Sequence, residues 1–328
     1  MPNLNIYITR KIPESALTVL TGIVNYEMWD GDFAVPRTHL LDKVRECHGI
    51  LSMLTEAIDE PVYQLAPKLR VVSNMAVGYD NIDVEGATRR GILIANTPGI
   101  LTRTCAEFTI ALMLGAARRI AEADSFVRSG NWKGWKPDLL VGRDLFESTL
   151  GIFGLGAIGL EVARMARALG VRVVYFSRHR KQDIEVKHGL VWAGSLDSLL
   201  KESDFVSVHV VLSPETRHVI GAAELLKMKR DAILINASRG QVIDQNALYD
   251  VLSRGQIGGA ALDVFESEPI SPKDPLLTLP NVLFTPHIAS ASKSTREKMA
   301  AMAVQNLLAG LRGLPMPSCV NPQARAGK

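Results

Sequence analysis

The stretch Thr149-Leu150-Gly151-Ile152-Phe153 runs directly into Gly154-Leu155-Gly156-Ala157-Ile158-Gly159, and residues 160–169 then form an alanine-rich segment that Gly170 ends. Val171-Arg172-Val173-Val174-Tyr175-Phe176 follows as a second apolar run. Strand, glycine-rich turn, helix and strand make one βαβ unit, and few folds accept that order with glycines at the first, third and sixth positions of the turn. Gly154 permits the tight turn, Gly156 lets the backbone approach a pyrophosphate, and Gly159 lets the helix lie close on the strand. The helix N-terminus then faces negative charge. The loop 154–159 is therefore read as a dinucleotide site within a parallel sheet.

The rest of the chain carries the same alternation. Short apolar runs at 5–9, 49–53 and 69–73 are separated by helical patterns, which reads as a first α/β unit reaching about Asn96. Thr97-Pro98-Gly99 punctuates the chain ahead of an apolar helix from about Thr104. Beyond a tryptophan-bearing loop, strands are read at 149–153, 172–176, 205–210, 232–236, 259–264 and 282–285, six in all. The helical stretch 289–310 is too short for a domain, so it returns to the first unit, and residues 323–328 are expected to fray. This divides the chain into a discontinuous domain, 1–98 with 288–328, and an inserted domain, 99–287.

Composition excludes several classes. Hydrophobic residues at 47% and charged residues at 22% fit a folded globular protein, and 37 basic against 34 acidic residues is too even for a nucleic-acid binder. The three cysteines, Cys47, Cys105 and Cys319, have neither disulfide nor zinc spacing. No apolar stretch reaches the ~20 residues of a membrane span, and Met1-Pro2-Asn3-Leu4-Asn5 does not read as a signal peptide. A cytoplasmic enzyme without metal, membrane or nucleic-acid partner is expected.

The strand ends locate the chemistry, because ligands of such sheets sit outside the carboxyl ends of the strands. After the second strand of the βαβ unit comes Ser177-Arg178-His179-Arg180-Lys181, with no acid before Asp183. A carboxylate there would bind ribose hydroxyls, whereas Arg grips a 2′-phosphate, so Ser177, Arg178 and Arg180 point to NADP, with NADPH preferred over NADH. A solvated charge run is the competing reading. Three further strand ends lead into Arg239, into Glu266 and Glu268, and into His287. His supplies a proton near neutral pH, an acid on its other ring nitrogen orients it, and Arg grips a carboxylate.

These segments carry a resemblance. Gly154–Gly159, Asn236-Ala237-Ser238-Arg239-Gly240-Gln241-Val242-Ile243-Asp244, Leu262-Asp263-Val264-Phe265-Glu266-Ser267-Glu268-Pro269 and Thr285-Pro286-His287-Ile288-Ala289-Ser290 resemble the D-isomer-specific 2-hydroxyacid dehydrogenases. Ser177-Arg178, the segment 132–137 and the segment 306–313 are most similar to the glyoxylate/hydroxypyruvate reductases among them. The resemblance implies an α/β fold of two doubly wound parallel-sheet domains, a Rossmann cofactor domain inserted into a flavodoxin-like substrate domain. It implies that Arg239 binds a small 2-oxoacid, that His287 is the acid/base, and that Glu268 pairs with His287 and leaves Glu266 a surface residue. It further implies substrate contacts from Met53, Leu54 and the backbone amides of Val77 and Gly78, and cofactor contacts from Thr104, Ser238 and Asp263.

A homodimer is expected, because the resemblance places the helix from Thr104 and the tryptophan-bearing loop at a subunit interface, that helix is more apolar than a solvated helix should be, and the residue matching Trp135 in related reductases reaches a neighbouring active site. The two-domain layout predicts a cleft with hinges near 97–99 and 286–289. The expected activity is NADPH-dependent reduction of glyoxylate or hydroxypyruvate. Another 2-ketoacid enzyme, such as a 2-ketogluconate reductase, and a dinucleotide-sensing corepressor-like binding protein are the alternatives. His209 ends a strand without an acid partner and is read as packing or cofactor contact, and His218 is assigned no chemistry.

Overall fold

The computed structural model describes residues 4–325. The chain divides into two compact units, Met1–Leu101 with Ala291–Lys328 and Thr102–Ser290. The two crossings fall at 101/102 and 290/291, against 98/99 and 287/288 in the sequence reading.

The first unit is built on strands β1 (Asn5–Ile8), β2 (Asn25–Met28), β3 (Gly49–Ser52), β4 (Val71–Asn74) and β5 (Leu93–Ala95). They form one parallel sheet in the order β2-β1-β3-β4-β5, the flavodoxin-like order. All residues of β3, β4 and β5 are buried, as strands covered on both faces must be. β2 and β5 escape sequence reading for different reasons. β2 is an edge strand, mostly exposed and without an apolar run, and β5 has only three residues.

The helix Lys293–Leu311 completes this unit, starting later than the expected 289 because Ser292 caps it by accepting the Thr295 N–H. Met299, Ala300, Ala303, Val304 and Leu307 are buried along it. The following segment closes the open side of β5, with Val320 N–H donating to the Ile94 carbonyl at 2.8 Å. Asn321, fully buried, acts as a strand residue through its side chain. Its Nδ2 donates to Thr88 Oγ1 and the Ile92 carbonyl, both at 2.9 Å, and its Oδ1 accepts the Ile94 N–H at 2.7 Å. Residues Pro322–Arg325 then form a 3₁₀ turn with Ala324 only 3% exposed, so the expected fraying does not begin at Gln323. Positions 326–328 lie outside the described residues.

The second unit contains β6 (Thr149–Phe153), β7 (Arg172–Phe176), β8 (Val191–Trp192), β9 (Phe205–Val208), β10 (Ile233–Asn236), β11 (Gly259–Leu262) and β12 (Val282–Phe284). Their parallel order is β12-β11-β10-β9-β6-β7-β8, so strands are added outward on one side of β6 as far as β8 and then on its other side from β9. Seven strands stand where six were expected. β8 is two residues long and offers no pattern to read. The strands expected to run to 210, 264 and 285 stop at Val208, Leu262 and Phe284. His209, Asp263 and Thr285 each keep one main-chain bond to the neighbouring strand and then turn away.

The apolar helix spans Thr102–Ala117 and buries Cys105, Ala106, Thr109, Leu112 and Met113 within its own unit. Its apolar character is therefore no argument for a subunit interface. The exposed apolar surface lies just beyond, on the helix Ile120–Arg128, which buries no residue, and on Trp132, Trp135, Val141 and Phe146.

Replacing Asn321 by Leu would leave a buried N–H and a buried carbonyl without partners, at roughly 1–3 kcal/mol each. Urea unfolding of Asn321→Leu should show a loss of about 2–5 kcal/mol. A loss below about 1 kcal/mol would mean that this segment contributes little to closing the sheet.

Candidate active site

The loop after β6 is shaped by close approach. Gly154 has φ 101°, and a Cβ there would lie 2.7 Å from the carbonyl carbon of His209. A Cβ on Gly159 would lie 2.3 Å from the Gly154 carbonyl oxygen, so helix and strand ends could not meet. Gly156 is exposed with open space before it, and it precedes the twelve-residue helix Ala157–Ala168. Ala157 and Ile158 form the first helical turn, and the buried Leu155 offers its carbonyl to Lys181 Nζ at 2.5 Å. An exposed, side-chain-free backbone at a helix N-terminus fits a pyrophosphate.

The basic segment after β7 is partly tied down. Ser177 Oγ donates to the His179 carbonyl at 2.8 Å. Arg180 is held by Glu185, with Nη2 at 2.9 Å and Nε at 3.0 Å from its two carboxylate oxygens. The hydrogen bond from Arg180 keeps the Glu185 carboxyl below the usual range, against the opposing effect of desolvation. Tyr175 also donates to Glu185 and accepts the Lys181 N–H. Arg180, read from the sequence as a second, more exposed contact to a 2′-phosphate, is thus engaged by Glu185. Arg178 is exposed and, among the described residues, makes no hydrogen bond or ion pair.

At the carboxyl ends of β10, β11 and β12, three expected residues lie on adjoining loops. His287 Nδ1 and Glu268 Oε2 are 2.7 Å apart, with the two side chains 25% and 31% exposed. Glu268 Oε1 accepts the Phe265 N–H at 3.0 Å. Desolvation would raise the Glu268 carboxyl, but its hydrogen bond to His287, the charge on that ring, the Phe265 N–H and the nearby Arg239 together hold it below the usual carboxylate range. His287 Nε2 makes no hydrogen bond among the described residues. Arg239 is half-buried, with Nη1 bonded to the Ser238 carbonyl at 2.9 Å. A Cβ on Gly240 would overlap the Phe265 carbonyl, so glycine is what lets the Arg239 loop lie against the Glu268 loop.

Several positioning groups were not legible. Asp263, expected to touch the cofactor, is fully buried and organises the His287 loop. It accepts from Thr285 Oγ1 at 2.6 Å, Ile288 N at 2.9 Å and Ala289 N at 2.8 Å, while its own carbonyl accepts the His287 N–H. That clamp holds His287 at φ 55°, a left-handed conformation uncommon for a residue with a side chain. Asn236 shapes the Arg239 turn by accepting from Ser238 N and Oγ and donating to the Arg239 carbonyl. Ser238 thus has its hydroxyl proton engaged. Glu266, expected on the surface, pairs with His218, and Gln241 and Gln245 bind its backbone carbonyl and N–H. The sequence shows no periodicity that would join residues 48 positions apart. His209 hydrogen-bonds Ser207 Oγ, and burial pushes its ring down to about 4, so it is neutral near pH 7.

In the first unit, Met53 and Leu54 follow β3, and Val77 and Gly78 follow β4, its neighbour in the sheet. Thr104 stands in the first turn of the helix Thr102–Ala117, and Trp135 is 83% exposed. Among the described residues no group of three His, Cys, Asp or Glu could hold a metal ion, and no helix is long and apolar enough to cross a membrane.

Residues 110–289 match the family model for the NAD-binding domain of D-isomer specific 2-hydroxyacid dehydrogenases. A glyoxylate reductase of Korarchaeum cryptofilum is 49% identical over 319 residues, covering 97% of this chain and 96% of that protein. A crystal structure of a Thermus thermophilus protein superposes with a TM-score of 0.91 at 43% identity, covering 97% of this chain and all of that one. An NADPH-dependent glyoxylate/hydroxypyruvate reductase of Sinorhizobium meliloti, solved with NADP and malonate, gives 0.86 at 32% identity, with 98% of each chain covered.

The depressed Glu268 carboxyl makes a pH prediction. A carboxylate whose folded pKa lies below its unfolded value, about 4.3 for Glu, contributes stability above that value and loses it as pH falls through the folded one. Glu268→Gln should therefore destabilise at pH 7, and its deficit in urea unfolding should shrink below about pH 4. A deficit that stays constant into acid would separate it from the carboxylate charge.

Proposed function

The chain belongs to the D-isomer-specific 2-hydroxyacid dehydrogenase family, and from that premise we propose that it is an NADPH-dependent reductase of a small 2-oxoacid, glyoxylate or hydroxypyruvate. The observation that carries this reading is the His287–Glu268 pair beside Arg239 at the carboxyl ends of the dinucleotide-type sheet. The names of the glyoxylate reductases that it resembles along nearly all of its length support the same substrate class.

A reduced nicotinamide dinucleotide, held by residues 154–159 with Arg178 at its 2′-phosphate, supplies the hydride when bound. Thr104, Ser238 and Asp263 are the further cofactor residues in this reading, Asp263 acting mainly through the loop it holds. Arg239 binds the 2-oxoacid carboxylate with its planar fork and polarises the carbonyl. His287, held through Nδ1 by Glu268, gives the Nε2 proton to the carbonyl oxygen as that oxygen gains negative charge. The Glu268 carboxylate is already hydrogen-bonded to Phe265 N–H, so it orients the ring and remains ionised. We place a homodimer contact on the exposed apolar surface of the helix Ile120–Arg128 and the loop bearing Trp132 and Trp135.

Assay of 2-oxoacids with NADPH and NADH tests the substrate class directly. His287→Ala should lower kcat by roughly 10²–10⁴ with NADPH affinity nearly unchanged, and a loss under about tenfold would reject His287 as the proton donor. Glu268→Gln, which keeps the shape but removes the carboxylate that orients the ring, should lower kcat by about tenfold or more, and an unchanged kcat would reject Glu268 as the partner of His287.

Cofactor choice rests on Arg178. A charge-assisted hydrogen bond contributes roughly 1.5–3 kcal/mol, so Arg178→Ala should weaken NADPH by about one to two powers of ten and NADH far less. Equal weakening of both would return the segment to a solvated charge run.

A further inference from the structure

Three peptide groups in the first unit are turned the same way by interior donors. The Met53 carbonyl accepts from Asn81 Nδ2 at 3.0 Å, the Ala76 carbonyl from Thr97 N at 2.8 Å, and the Val77 carbonyl from Asn96 Nδ2 at 2.8 Å. In a trans peptide the C=O and the next N–H point in opposite directions. Anchoring these three carbonyls inward therefore turns the N–H groups of Leu54, Val77 and Gly78 outward. Among the described residues none of the three N–H groups has an acceptor, although all three residues are half-buried.

The anchors are themselves fixed. Asn74, fully buried at the end of β4, accepts from Ser52 Oγ and donates to the Gly78 carbonyl at 3.0 Å and to Asn81 Oδ1 at 3.4 Å. Asn81 also donates to the Glu56 carbonyl at 2.8 Å. The Glu56 carboxylate, 4% exposed, takes the Met53 N–H at 2.9 Å together with the Thr9 and Thr55 hydroxyls. Asn96 is held by Ser318 Oγ on its Oδ1 and by Asn306 Nδ2 on its carbonyl, which is where the returning C-terminal segment enters the frame.

We infer that Asn81 and Asn96, braced by Asn74, Glu56 and Ser318, are positioning residues that aim the Leu54 and Gly78 amides, beside the Val77 amide turned by Thr97 N–H, at the carboxylate of the 2-oxoacid. This rests on the substrate class proposed above. It also changes the assignment of the first loop. Both backbone groups of Met53 are engaged, so the donor there is Leu54 N–H. Successive outward N–H groups after parallel strands form an anion-binding concavity.

Asn81→Asp and Asn96→Asp keep size and shape but replace a donating amide by a carboxylate that repels the carbonyl it faced. Each should raise KM for the 2-oxoacid by about tenfold or more, leave kcat within about threefold, and leave NADPH affinity unchanged. Oxalate, an unreactive dicarboxylate probe, should bind at least about tenfold more weakly to both variants by calorimetry. Where a variant does not fold, Ser318→Ala, which only loosens Asn96, should still raise KM by about threefold. Wild-type values of KM and oxalate affinity in the folded variants would overturn the inference, as would a wild type that binds no oxalate. A wild type that binds oxalate but reduces no 2-oxoacid would instead overturn the proposed function and leave the frame standing.

Discussion

The buried carboxylate of Asp263 is the constraint on which the His287 loop depends. It satisfies three donors across residues 285–289, and its backbone carbonyl takes a fourth, so the loop has one way to leave β12. A fully buried carboxylate without those donors would be costly, and a loop without that carboxylate would leave three donors unpaired. The two requirements meet in a single geometry, and that geometry places His287 in the left-handed region with Nδ1 on Glu268. The strain at His287 is offset by the bonds that surround it.

The same device recurs on the neighbouring loops. Asn236 folds the Arg239 turn, Gly240 brings that turn against Phe265, and Glu266 is tied by His218, Gln241 and Gln245. In the first unit, Asn74, Asn81 and Asn96 do for peptide carbonyls what Asp263 does for N–H groups. Each sheet thus carries polar side chains at its carboxyl edge that engage one side of a loop's hydrogen-bonding capacity. What is left over points outward.

Much of this organisation was legible. Two parallel-sheet α/β units could be read from alternating apolar runs and helical patterns, and the βαβ unit around 154–159 was read closely because glycine spacing has a direct steric meaning. β2, β5 and β8 were not named, since an exposed edge strand and strands of three and two residues carry too little periodicity. The helix Thr102–Ala117 was read as apolar, and the residues that it buries in its own unit were not legible, because a sequence does not say what covers an apolar helix. The pairing of Arg180 with Glu185 was not legible for a related reason. An exposed Arg and an ion-paired one look alike in sequence, and only the helical turn that returns Glu185 distinguishes them.

The sequence by itself determined the fold class, the turn at 154–159 and the residue types Arg239, Glu268 and His287, because each follows from local sterics, short-range patterning or motif resemblance. The tertiary structure decided which acid each histidine meets, Glu268 for His287 and Glu266 for His218. It also decided that Asp263 faces inward and that the Leu54 amide, unlike that of Met53, faces outward. These choices depend on hydrogen bonds between loops separated by tens of residues. Their angular requirements are met only after neighbouring strands have set the register, and no local pattern encodes them.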